Sequence, residues 1–156
     1  MNIPETPIAK KRDYNFTLNF IDDSFAIDGE LQVANLEQES LRCPYLMNRY
    51  STMLSMEERH YGILETEKDV LYRNLWLYYS GKAPDDVYKA KPFDYKVLKG
   101  DIDFWIKADD TMIELQKKMV SSKARLSKLN NIVRNIQYRH SQIKNSIDEL
   151  KRKQGG

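Results

Sequence analysis

The stretch from Met112 to Leu150 constrains this chain more than any other. Met112, Leu115, Met119, Ser122, Leu126, Leu129, Val133, Ile136, His140, Ile143, Ile147 and Leu150 recur in steps of three and four, and ten of the twelve are apolar. That spacing returns side chains to one face of an α-helix, whereas a strand alternates by two. No proline or glycine intervenes before Gly155, so these 39 residues predict a helix roughly 58 Å long. One antiparallel partner covers part of such a stripe, and sister subunits are expected to cover its far end through a heptad arrangement. The expected oligomer contacts are Leu126, Leu129, Val133, Ile136, Ile143, Ile147 and Leu150. His140 reads as a polar core position that fixes register rather than as a metal ligand.

A second periodic run precedes it. Met47, Tyr50, Leu54, Glu57, Tyr61, Leu64, Lys68, Leu71, Leu75 and Tyr78 step in the same way, with eight of ten apolar or aromatic. Pro44 is placed in the first turn, where a missing N–H costs nothing, so a helix from Pro44 to Ser80 is expected. A shorter amphipathic segment runs through Leu18, Ile21 and Phe25 and stops near Asp28-Gly29. Residues 1–16, with two prolines and Lys10-Lys11-Arg12, read as a flexible arm.

The run ends in "LWLYYSGK", Leu75 to Lys82. Gly-Lys invites comparison with a nucleotide loop, but Trp76 stands where such a loop requires its first glycine, and Ala83 stands where it requires Ser or Thr. Gly81 instead occupies the place of a left-handed helix cap. In "YKVLKGDIDFWIK", Leu98, Ile102 and Trp105 share one helical face, although Ile102, Phe104 and Ile106 also alternate as a strand would. Helix is the expectation. Asp109, Asp110 and Thr111 offer N-cap oxygens, and Thr111 with Glu114 has capping-box spacing.

Several functions find no residues to carry them. Cys43 is the single cysteine, which excludes an intrachain disulfide and a zinc cluster. His60 and His140 have no second ligand in phase, and neither a zincin nor a nucleophile-elbow motif occurs. Glu57, Glu58, Glu65 and Glu67 read as salt-bridging carboxylates along a charged helix. The expectation is a protein without enzymatic activity, cofactor or metal. No apolar run reaches the roughly 20 residues of a membrane span, and the N-terminus has no secretory apolar stretch.

Net charge is only +2, yet the residues from Leu115 onward hold eleven Lys and Arg against two acids, leaving −7 on the first 114. Such segregation fits either a polyanion partner or a solvated helix face. Tyr72, Trp76 and Tyr79 lie off the seam with Arg73 and Lys82 close by. Aromatics among cations are what single-stranded nucleic acid needs, since bases stack and phosphates meet charge. The competing explanation is a second packing face, which Trp76 fits slightly better. Arg73, Lys82, Lys89 and Lys91 have no core role, so phosphate contact competes only with solvation.

The segments "LEQES", "YLMNRYSTMLSMEER", "LYRNLWLYYSGK", "YKVLKGDIDFWIKADD" and "IVRNIQYRHSQIKNSI" occur in an order that resembles the UvsY-type recombination mediators of T-even and related phages. The similarity runs from about residue 20 to the end. It rests on an aromatic pair before Ser-Gly-Lys, a following Leu-Lys with an acidic residue after it, and Ile-x-x-Arg-x-x-x-Ile-Lys. The resemblance implies a non-enzymatic, ring-like homo-oligomer larger than a dimer that binds single-stranded DNA. It also implies contact with a phage single-strand-binding protein and a RecA-like recombinase, whose loading onto coated DNA it promotes in the cytoplasm of the infected host. Arg73 occupies the family's DNA-linked basic position, whereas Leu75 replaces a second basic residue expected there, which shifts weight to Lys82, Lys89 and Lys91. The expected fold is all-α, a helical hairpin or bundle followed by a long C-terminal heptad-repeat helix that mediates homo-oligomerisation. The expected division is an arm at 1–16, a DNA-binding helical bundle at 17–110 and an oligomerisation helix at 111–156. Two rivals share the seam: an assembly scaffold that leaves its cations solvated, and a basic-zipper duplex binder. The zipper fits poorly, because the cations here are spread through the heptads rather than gathered before them.

Overall fold

A computed structural model describes residues 17–155. The arm assigned to residues 1–16 lies outside them. Among the described residues the regular structure is entirely helical: α1 (Leu18–Asp28), a 3-10 turn (Val33–Asn35), α2 (Leu36–Tyr79), α3 (Asp85–Ala90), α4 (Ile102–Ala108) and α5 (Asp110–Gln154). The all-α expectation and the long C-terminal helix hold. No described helix is long and apolar enough to cross a membrane.

The chain packs as two compact units, and both long helices contribute to each. Residues 17–58 and 124–155 belong to one, and Arg59–Lys123 forms the other. The division drawn at residue 110 follows helix order, whereas these packing units cut across it.

In the first unit, Ile21 of α1, Leu46, Tyr50 and Met53 of α2, and Leu129, Ile132 and Ile136 of α5 form one buried cluster. The two long helices run antiparallel here: Glu57 meets Arg125, while Cys43 and Met47 lie beside Ile136 and His140. Thr17 caps α1 by accepting from the Phe20 amide at 3.1 Å. Asp28 sits in the last turn of α1, where the helix dipole disfavours a negative charge. It is held there by Arg49 at 2.8 Å, Arg42 at 3.4 Å and the Tyr50 hydroxyl at 2.9 Å. Burial and the bond to Asp28 push the Tyr50 hydroxyl upward in pKa, so it remains a donor.

Three expectations change in this unit. The second helix begins at Leu36, not Pro44, because Asn35 accepts from the Gln38 amide at 3.3 Å and supplies the cap. Pro44 is therefore inside the helix, where it removes one backbone bond and crowds the Ser40 carbonyl. Burial of Glu39 and Cys43 on the preceding turn helps hold the helix through it. His140 is exposed rather than a polar core position, while Ser122, the other polar seam site, is fully buried. The seam fades beyond it: Ile143 is buried, Ile147 half-buried and Leu150 exposed. Third, Leu129, Ile136 and Ile143 are buried by this chain itself, at 2 % exposure or less. Sister subunits are not needed to shield them.

In the second unit, Leu75, Tyr78 and Tyr79 of α2 pack against Ile102 and Ile106 of α4 and Met112 of α5. α2 stops as expected. Gly81 adopts φ 75°, the Lys82 amide donates to the Leu77 carbonyl at 2.9 Å, and the Gly81 amide donates to that of Tyr78 at 3.3 Å. This is the left-handed cap in which two otherwise orphaned carbonyls are satisfied. The Tyr88 hydroxyl adds a third bond, donating to the Tyr78 carbonyl at 2.7 Å.

α4 is shorter than the face Leu98–Ile102–Trp105 implies. Ile102 and Ile106 are buried, but Leu98 precedes the helix and is 71 % exposed. The N-cap of α5 is Asp109, which accepts from the Thr111 amide at 2.9 Å. The Thr111–Glu114 capping box does not form, and Glu114 pairs with Lys117 at 2.8 Å instead.

Candidate nucleic-acid interface

The residues expected to meet nucleic acid all fall in the second unit, and the structure sorts them into three groups. Arg73 is exposed on α2 and makes no ion pair with any described residue. One helical turn on, Trp76 carries the Lys82 ammonium 4.8 Å from its ring centroid. A cation held over an indole face is attracted by the ring quadrupole, so Lys82 is held over Trp76, a residue one helical turn from Arg73. Tyr72 lies on the same side of the helix, four residues before Trp76. It is 41 % exposed, and its hydroxyl donates to Asp103 at 2.5 Å, a bond that pushes its pKa upward. Tyr72, Arg73, Trp76 and Lys82 thus form one strip of rings and charge. Trp76 is also partly buried against the second core, as the packing explanation expects.

Lys91 belongs to a different group. Its ammonium lies 3.6 Å from Asp109 and 5.5 Å from the centroid of Tyr78. Lys89 is exposed on α3, with Asp86 at 3.5 Å, a surface pair that contributes little to stability.

Tyr79 is not at the surface. It is 8 % exposed, its hydroxyl donates to Asp109 at 2.8 Å, and burial followed by that bond pushes the hydroxyl upward in pKa. A base cannot stack on a ring already enclosed by Tyr78, Phe93 and Trp105. Counting from a single seam places Tyr79 outside the core, but α4 and the segment before it cover α2 from a second side.

Asp109 is the joint of this region. Burial alone would raise its pKa. The side-chain and amide bonds from Thr111, the Tyr79 hydroxyl and the Lys91 charge outweigh burial and hold the carboxyl below its ordinary value of 3.8. A depressed folded value means the native state binds fewer protons than the unfolded chain. The stability so gained is present above pH 3.8 and is lost as pH falls through the folded value. Asp109→Asn is therefore expected to lose less melting temperature than the wild type between pH 5 and about pH 2 to 3. Fluorescence of Trp76 and Trp105, both in this unit, reads the transition; parallel acid limbs for the two proteins would remove Asp109 from this role.

Two residues absent from the sequence-based set stand out. Tyr95 and Phe104 are 73 % and 72 % exposed. The signal for them in the sequence is Phe104 lying off the Ile102–Ile106 face, which leaves a large ring facing water. Among the described residues no group of three or more His, Cys, Asp or Glu could hold a metal ion.

Residues 19–156 match the family model described as "Recombination, repair and ssDNA binding protein UvsY". Two crystal structures of the bacteriophage T4 recombination mediator protein UvsY share the fold. The lattice type II structure superposes with TM-score 0.78 at 17 % identity, covering 91 % of this chain and all of that one. The type I structure gives 0.74 at 16 %, covering 85 % and 98 %. No curated protein sequence matches this one significantly.

Proposed function

The chain belongs to the UvsY family, and from that premise we propose that it is a phage recombination mediator that binds single-stranded DNA through the Arg73–Trp76–Lys82 strip, with Lys89 and Lys91 contributing. The observation that carries this reading is that Arg73, at the family's DNA-linked position, is exposed and makes no ion pair with a described residue, one helical turn from the ring that holds the Lys82 cation. A phosphate backbone supplies the missing negative charge without requiring any particular base.

One copy offers few cations to a strand, so several copies must act on it together. In this reading the protein assembles as a ring-like homo-oligomer larger than a dimer, and linked weak grips multiply into firm binding. The subunit interface is assigned to apolar groups not consumed within the chain. Ile147 is half-buried, Leu150 is 48 % exposed and Tyr138 is 70 % exposed, all late in α5. Leu126 and Val133, also half-buried, contribute at the margin. DNA so held is presented to a RecA-like recombinase in place of the single-strand-binding protein that coats it, in the cytoplasm of the infected host.

The test is fluorescence anisotropy with a short labelled oligonucleotide across a salt series. Arg73→Ala with Lys82→Ala is expected to weaken binding at least about tenfold, since a strand spanning several copies is weakened at each of them. The slope of log affinity against log salt should also shallow, by about 0.7 for each phosphate that is no longer neutralised. Particle mass should not change. Equal affinity at every salt concentration would remove both residues from the interface, and no binding by the wild type would favour the scaffold reading.

A further inference from the structure

Most exposed aromatic rings in a folded protein are solvated singly. Tyr95 is not: it is the outer end of a stepped column of rings. Tyr79 forms the buried foot, anchored through its hydroxyl to Asp109. Trp105 lies 5.8 Å above it with a tilt of 40°, and Tyr95 lies 6.0 Å beyond Trp105 with a tilt of 31°. Phe93 braces the column from the side, 5.5 Å from Trp105 and 5.8 Å from Tyr95. The foot is 8 % exposed and the tip 73 %. A ring held at an angle by its neighbours, with most of its surface in water, has little freedom left to lose when something flat stacks on it.

The surroundings suit a nucleobase. Lys96 follows Tyr95 directly. Lys107 lies one turn from the exposed Phe104 on α4. Neither lysine pairs with a described acid. Of the three aspartates between Phe93 and Lys107, Asp103 already accepts from Tyr72. The foot of the column and Lys91 share Asp109, so the buried ring beneath the column and a nearby cation are held by one carboxylate.

We infer that Tyr95, backed by Trp105, is a base-stacking platform for single-stranded DNA, with Lys96 and Lys107 on the adjoining phosphates. This rests on the single-strand reading above and adds to it where the bases go. Every base has a π face, so stacking grips the strand without reading its sequence.

The experiment compares two strands of equal length on the full chain, one carrying bases and one abasic. Tyr95→Ala is expected to weaken binding to the base-bearing strand by at least about fivefold. Tyr95→Phe keeps the ring and should stay within about twofold of wild type, because a phenyl ring presents a comparable π face. On the abasic strand all three proteins should bind alike. Tyr95 makes no hydrogen bond or ion pair with a described residue, so unchanged thermal melting will show that the variants fold.

Wild-type affinity for base-bearing DNA in Tyr95→Ala overturns the platform. So does an equal loss on both strands, which would mark a grip on the backbone. Loss of recombinase or single-strand-binding-protein association with DNA affinity intact also overturns it, making the surface a protein-docking one. If the wild type binds neither strand, the single-strand reading itself fails; if it binds and Tyr95→Ala is silent, only the platform fails.

Discussion

Ile136→Glu is expected to unfold the first unit rather than to dissociate an oligomer. Ile136 is 1 % exposed and belongs to the cluster of Ile21, Leu46, Tyr50, Met53, Leu129 and Ile132. Losing the isoleucine packing costs about 2 to 5 kcal/mol. A carboxylate among these side chains adds several kcal/mol for the ionised form, or for its forced protonation. Together these approach the roughly 5 to 15 kcal/mol that holds a whole domain folded. The variant should lose helical signal and its cooperative melt at every protein concentration. Leu150→Glu is the control, in the same periodic stripe but 48 % exposed. Its melt should stay within about 0.5 kcal/mol of wild type, and a lower particle mass would mark the end of α5 as a subunit interface. An Ile136→Glu protein that melts normally yet scatters as a smaller particle would show that the side chain faces another subunit.

This pair of variants also marks what the sequence could reveal. Steps of three and four identify Leu129, Ile136 and Ile143 as inward-facing, and they are. Periodicity reports that a face is covered, not by what. Here α1 and the first half of α2 cover it, so the stripe is broader than a two-helix seam and includes Ile132, which the count omits. The start of α2 is misplaced for a related reason. A first-turn proline is the usual arrangement, but Asn35 with Gln38 caps the helix nine residues earlier, and packing carries it through Pro44. Tyr79 reads as part of the DNA surface because its cover, Phe93, Trp105 and Asp109, lies 14 to 30 residues away in the chain. No local pattern encodes that packing. Arg73 and Lys82 are legible as exposed cations because nothing apolar in their spacing demands burial. The ring that stations Lys82 is visible only in three dimensions.

Glu57 carries the other large expectation. It occupies a seam position, is 1 % exposed, and meets Arg125 at 2.9 Å, whose side chain is itself only 13 % exposed. Arg125→Met keeps most of the side-chain length and removes the charge. The carboxylate is then deprived of its guanidinium in a place where water cannot substitute, and the expected cost is about 3 to 5 kcal/mol. Glu57→Leu strands the arginine instead, but a long flexible side chain can carry its charge toward solvent, so that variant should lose less. The double variant decides between two views of the pair. If the ion pair is a net source of stability, Glu57→Leu with Arg125→Met should be worse than either single change. Desolvation of both charges argues the opposite, because removing them together replaces a costly pair with apolar packing of similar volume. We expect the double variant to recover most of the Arg125→Met loss, giving a coupling energy of at least about 2 kcal/mol in a urea-melt cycle. Additive losses, with no recovery, would mean that the two side chains are held independently and that their proximity does not set the stability of the unit.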